Sequence, residues 1–291
     1  MAEPRSAAAL DAVADAVDAA DAADADADAD ADAAAGAAAD ADAERRFGGL
    51  RRLYGDAAYA RLRALRVAVV GVGGVGSWAA EALARCGVAA LVLIDLDHVA
   101  ESNINRQVQA LGATLGQAKV QALRQRIADI HPGCAVQAVE EFADAGNWPA
   151  LLPQPVDAVL DACDQARAKL ALAAWARMTA TPFVTVGAAG GKRRAQDVEV
   201  ADLAHATHDP LLAALRQRLR RDHGAPRSGA IGVRGVFSRE AVAAPADAGA
   251  RAAAAPGMPL ACAGYGSVVT VTATFGLVAA GELIAQALAG G

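Results

Sequence analysis

The four cysteines, Cys86, Cys134, Cys163 and Cys262, include no Cys-x-x-Cys pair, which argues against a zinc knuckle and against a thioredoxin-like redox site. Isolated thiols used as small core residues suit a reduced, intracellular protein, and a cytoplasmic location is expected. A clean apolar run of about 20 residues is also missing. Residues 252–281 hold no charged side chain, but Pro256, Gly257 and Pro259 break their first half and Thr270, Thr272 and Thr274 their second. A buried helix at a subunit interface is therefore expected there, rather than a membrane span. Bases are almost absent from residues 1–44, where thirteen acids face Arg5 alone and the net charge is −12. The whole chain of 291 residues stands at −6, so residues 45–291 are basic, near +6. The Ala-Asp repeat from Asp24 to Asp32 sets like charges at helical spacing with no apolar face to bury, and residues 1–44 are expected to form a disordered tail. This tail is too acidic for a mitochondrial transit peptide and has no apolar centre for a secretory signal; it reads as a low-complexity extension in preference to an interaction arm.

What is present begins with Val67-Ala-Val-Val-Gly71-Val-Gly73-Gly74-Val-Gly76. An apolar strand running into a glycine turn and a helix makes a phosphate cradle: Gly71 allows the sharp turn, Gly73 and Gly74 let bare amides approach an anion, and Gly76 lets the helix pack close to the strand. A second apolar strand, Leu91 to Ile94, ends at Asp95, the distance expected for a ribose-binding carboxylate. Further on, residues 116–130 carry a helical apolar stripe stopped by Pro132, residues 135–139, 158–160 and 183–186 read as strands, and residues 167–178 read as a helix. Strands alternating with helices predict an α/β fold, a Rossmann-like, doubly wound, mainly parallel sheet with a C-terminal extension. In such a sheet Gly71, Asp95, Asp161 and Gly187 meet at the carboxyl ends of the strands.

The glycine loop alone does not separate a nicotinamide site from an ATP site. The residues after it do: a triphosphate with magnesium needs cations and a metal-binding carboxylate, and Arg106, Lys119 and Asp164 supply them. Asp161 is open to two readings, a site residue or a helix N-cap. His205 and His208 are read as surface. The helix beginning at Asp209-Pro210 carries Arg216, Arg218, Arg220 and Arg221, and with Lys192, Arg193, Arg194 and Arg227 these form either a cationic patch for a phosphate backbone or an ordinary solvated face.

The set Gly71-x-Gly73-Gly74-x-Gly76, Asp95-x-Asp97, Asn103-x-x-Arg106-Gln107, Gly116-x-x-Lys119 and Asp161-x-x-Asp164 resembles the ubiquitin-activating-like adenylating enzymes. Within them, Arg46-Phe-Gly-Gly, Arg52-Leu-Tyr-Gly55, Gly187-Ala-Ala-Gly-Gly191, Asp209-Pro-Leu211 and Val236-Phe-Ser238 look like the branch of tRNA threonylcarbamoyladenosine dehydratases. The resemblance implies an ATP-binding adenylating domain over residues 45–291 with a C-terminal substrate-binding region. It also implies ATP-dependent cyclisation of threonylcarbamoyladenosine beside the tRNA anticodon. By the same resemblance, Asp95 accepts from the ribose hydroxyls, Asp97 belongs to the nucleotide site, Asn103, Arg106 and Lys119 hold phosphates, Asp164 binds Mg2+, and Arg52 reaches across a homodimer into the neighbouring site. A sulfur-acceptor or cysteine-desulfurase system is a further implied partner, and membrane contact is not expected. Some relatives carry a cysteine where this chain has Gly235, so no thiol intermediate is expected at that position. Three other readings stay open: activation of a ubiquitin-like sulfur carrier, a nicotinamide-dependent oxidoreductase, and a non-catalytic nucleotide-sensing scaffold.

Overall fold

The computed structural model describes residues 41–243 and 265–289. Residues 1–40 of the expected tail, and residues 252–264 of the uncharged stretch, lie outside the described residues. The chain divides after Gly49. Residues 41–49 are helical, so the last residues of the expected tail have secondary structure: the Asp42 carboxylate meets Arg45 at 3.1 Å and Arg46 at 2.6 Å, offsetting the acidic run one helical turn on. These two guanidinium groups also hold the Asp42 carboxyl below its ordinary value.

From Leu50 onward the described residues form one sheet of seven strands: β1 (Arg66–Val70), β2 (Ala90–Ile94), β3 (Ala135–Val139), β4 (Ala158–Asp161), β5 (Phe183–Val186), β6 (Val198–Asp202) and β7 (Arg234–Ser238). Their order is β3-β2-β1-β4-β5-β7-β6, all parallel except the β6–β7 pair. Six helices accompany them: α1 (Asp56–Ala64), α2 (Gly76–Arg85), α3 (Lys119–Ile130), α4 (Ala166–Thr179), α5 (Pro210–Asp222) and α6 (Val269–Ala289). The chain winds outward from β1 to β3 on one side and then returns to place β4 on the other side of β1, which opens a crevice at the carboxyl ends of β1 and β4.

β1 shows why its strands read as continuous apolar runs. Val67 and Val69 pack with α2, α3 and α6 on one face, while Ala68 and Val70 pack with α4 and α5 on the other. The helix-rich face closes with α6, whose Val271, Phe275, Ala279 and Leu283 are fully buried. Gly276 lets α6 and α2 approach until a β-carbon there would sit 2.9 Å from both the Ala79 nitrogen and the Trp78 β-carbon. α6 is long and apolar enough to cross a bilayer by length and composition, yet its buried face is committed to this core. The buried helix expected within residues 252–281 is therefore found, displaced towards the C-terminus. β7 was marked in the sequence only by its Val236-Phe-Ser238 motif. It pairs parallel to β5 and antiparallel to β6, so it joins the C-terminal extension to the same sheet.

Candidate functional site

A cavity of about 300 Å³ lies in the crevice and draws its lining from every segment that follows a central strand. Gly71, at φ +82°, turns the chain out of β1 so tightly that a β-carbon would meet the Cys163 nitrogen at 2.9 Å. Gly76 is set back from the cavity lining, where a side chain would collide with the Gly71 carbonyl. Gly73 and Gly74 line the cavity, and α2 starts beside them with no side chain capping its first turn, where the Gly73 carbonyl takes the Ser77 N–H at 3.1 Å.

Asp95 fixes this loop from the end of β2. One carboxylate oxygen accepts from the Val72 N–H at 2.8 Å and the other from the Asp97 N–H at 2.9 Å. Burial pushes its carboxyl above the ordinary value, against the opposing pull of nearby Lys119 and of those two N–H groups. Asp95 therefore shapes the loop as well as offering its remaining lone pairs to the cavity. Lys119, the first residue of α3, is buried and donates to the exposed Asp97 carboxylate at 2.7 Å. Asn103 accepts from the Ala100 N–H at 3.0 Å, so its amide nitrogen is left without a protein partner among the described residues. Arg106 runs across Gly74, with its δ-carbon at 3.3 Å from where a β-carbon would be, and donates to the Ser102 carbonyl at 2.5 Å. The Trp78 indole N–H holds the Arg106 carbonyl at 2.9 Å.

Asp164 follows β4, is exposed to the cavity, and makes no ion pair among the described residues. An exposed, unpaired carboxylate lining the same cavity as the glycine loop suits Mg2+, which takes one or two carboxylates and completes its shell with phosphate oxygens and water. Among the described residues no cluster of three His, Cys, Asp or Glu side chains forms a dedicated metal cage. Arg52 is placed apart from these groups, exposed on the helical residues 50–54 and outside the cavity lining.

Asp161 is neither an N-cap nor exposed. It ends β4 fully buried, bound by Lys169 Nζ at 2.9 Å, by the Thr185 hydroxyl at 2.6 Å and by the Cys163 N–H at 3.2 Å. Burial alone would lower the Lys169 ammonium; the Asp161 carboxylate beside it reverses that and holds it above its ordinary value. Burial, reinforced by Asp161, likewise pushes the Cys163 thiol well up. The cationic patch loses several members. Lys192 is 2% exposed and donates to the carbonyls of His208, Ser238 and Glu240. Arg216 is tied to the Leu203 and Ala206 carbonyls, and Arg218 and Arg221 share Asp222. Residues with no role assigned from sequence also line the cavity: Gln107, Phe142, Cys163 and Thr272. The Asn103-x-x-Arg106-Gln107 motif pointed at the first of these; nothing in the sequence pointed at Thr272, which arrives from α6.

The ThiF family model matches residues 47–289. The chain belongs to the ThiF family. Among curated ThiF-family relatives, it is 42% identical over 251 residues to the tRNA threonylcarbamoyladenosine dehydratase of Escherichia coli K12, covering 84% of this chain and 94% of that protein. The crystal structure of the E. coli tRNA N6-threonylcarbamoyladenosine dehydratase in complex with ATP superposes with a TM-score of 0.75 at 41% identity, covering 84% of this chain and 95% of that one. A similarity of 38% to the molybdopterin-synthase adenylyltransferase of E. coli spans 43% of this chain.

Proposed function

We propose that this ThiF-family protein is an ATP-dependent tRNA threonylcarbamoyladenosine dehydratase, with residues 45–291 as its adenylating domain. The observation that carries the reading is the convergence of Arg106, Lys119 and the unpaired Asp164 on one crevice beside a glycine loop. Such a site neutralises a triphosphate, and the matched relatives that cover most of this chain act on threonylcarbamoyladenosine by name.

The chemistry follows from the poor reactivity of a carboxylate, whose leaving group would be oxide. The threonyl carboxylate oxygen attacks the α-phosphorus, the bond to the β-phosphate oxygen breaks, and pyrophosphate leaves. The ureido oxygen then attacks the acyl carbon, the bond to the phosphate oxygen of AMP breaks, and the ureido nitrogen releases its proton to water. Ring closure is intramolecular and proceeds at high effective concentration. Arg106 and Lys119 stabilise charge growing on the α-phosphate, the bare backbone at Gly73 and Gly74 lets phosphate oxygens approach the start of α2, and Asp95 accepts ribose hydroxyls on its unused lone pairs. Asp164 would hold Mg2+, which would supply charge screening for the phosphates.

The protein acts in the cytoplasm as a homodimer, with Arg52 entering the partner's site. Arg52 is exposed without an ion-pair partner among the described residues, next to Leu53 at 73% and Tyr54 at 41% exposure, the kind of surface that seats a second chain. Mass spectrometry of nucleosides released under mild conditions from the tRNA of a deletion strain tests the function. Loss of the cyclic nucleoside with retention of the linear one is expected. Persistence of the cyclic form, with pyrophosphate exchange driven by a ubiquitin-like carrier, would assign the pocket to carrier activation instead.

A further inference from the structure

Two glutamines sit behind the glycine loop, and their amides are not free to turn. Gln109 is 1% exposed, and its amide lies 2.9 Å from the Val72 carbonyl oxygen. A carbonyl only accepts, so the Gln109 atom facing it is its NH2. That same NH2 lies 3.3 Å from the amide of Gln107, whose near atom must therefore be its oxygen. The Gln107 amide nitrogen is thereby turned the other way. Gln107 is 5% exposed and lines the cavity, and its nitrogen has no protein partner among the described residues, yet it is not among the buried unpartnered atoms. The cavity is the side it faces.

Gln109 bears a penalty for this arrangement. Its own amide oxygen is buried with no donor among the described residues, a loss that an apolar residue of similar volume would not suffer at that atom. A position chosen for packing alone has no use for that orphaned oxygen. The NH2 is what the position uses.

We propose that Gln109 is a positioning residue for nucleotide binding: anchored on Val72, it locks the Gln107 amide with its N–H groups directed at the phosphate-binding end of the cavity. The inference rests on the reading that ATP fills this cavity. Gln107 then adds a neutral donor pair for phosphate oxygens beside Arg106 and Lys119, and Gln109 selects against the flipped amide, which would present an oxygen to the anion.

Equilibrium titration of the full-length protein with MgATP and with adenosine, using Gln109→Met, Gln107→Ala, the double variant and Gln107→Glu, tests the proposal, with thermal melting as the control for folding. Gln109→Met strips the Val72 carbonyl and the Gln107 oxygen of their donor, so a modest drop in melting temperature is expected, with MgATP weakened about fivefold to tenfold and adenosine unchanged. In the Gln107→Ala background it should add nothing, because the effect passes through Gln107. Gln107→Glu, which puts a carboxylate where the amide nitrogen stood, should lose more MgATP affinity than Gln107→Ala. Equal weakening of MgATP by Gln109→Met in both backgrounds would mean that Gln109 acts through the Val72 loop and would overturn the proposal, as would wild-type affinity in Gln107→Glu or in Gln109→Met. A wild-type protein that binds no MgATP would instead overturn the nucleotide reading, and this proposal with it.

Discussion

Two lysine–aspartate pairs flank the crevice and are built in opposite ways. Lys119 and Asp97 meet at the mouth, where the lysine side chain is 8% exposed and the aspartate 55%. Lys169 and Asp161 meet behind it, both wholly buried, with Thr185 and Cys163 filling the remaining acceptor positions. The first pair has water on one side, and under the proposed function its Asp97 carboxylate would give way to the phosphates of a nucleotide. The second is closed off from solvent and shared only with buried neighbours such as the Thr185 hydroxyl, so it fixes the end of β4, and with it the backbone that leads to Asp164. A salt bridge at a site thus reads as a resting state in one case and as scaffolding in the other, and exposure decides which.

The sharpest way to break this contrast is Lys169→Met. It strands the Asp161 carboxylate in the core and should cost about 3–5 kcal/mol in urea unfolding, much of it recovered by adding Asp161→Asn. A loss below about 1 kcal/mol would place the two pairs in one class. Next in size, Lys119→Ala should lower the rate of adenylation about 100- to 1,000-fold, followed by pyrophosphate release, with stability within about 1 kcal/mol of wild type. Asp164→Asn should raise the magnesium concentration for half-maximal turnover at least about tenfold and leave the urea midpoint in place.

The smallest effect concerns a third pair, on α2. Burial disfavours the Glu81 carboxylate, but its bonds to Arg126 and Arg85 prevail and hold its carboxyl below the ordinary 4.5. A depressed folded-state value means stability that is fully present above about pH 4.5 and lost as the pH falls through the folded value. Urea melts across the acid range should show Glu81→Gln with a shallower loss, on the order of 1 kcal/mol, than wild type.

How far this contrast was legible in the sequence differs between the two pairs. Lys119 stood out because Gly116-x-x-Lys119 accompanies a glycine loop, and a cation near such a loop has an evident use. Lys169 is one residue in an alanine-rich helix, and its partner lies across a strand end and a loop, a relation that helical and strand periodicities do not encode. Asp161 looked equally like an N-cap, since a short polar residue before a helix fits either role; the burial that decides between them is a tertiary fact. Lys192 went wrong for the same reason. A Lys-Arg-Arg run reads as solvated until three backbone carbonyls are found waiting for the ammonium. β1, β2, β4 and β5 were readable because both faces are covered and most of each run is apolar, whereas β7 sets Val236 and Phe237 among Arg234, Gly235 and Ser238 and gave no such run.

The close packing at Gly276 has a bearing on what makes the glycine loop competent. Through that glycine α6 lies against the start of α2, and Thr272, one turn earlier, forms part of the cavity wall beside Gly74. Without residues 269–289 the phosphate loop would stand without that wall, and α2 would keep only its packing against the sheet and α3. The competence of the glycine loop is therefore tied to a helix far downstream of it in the chain.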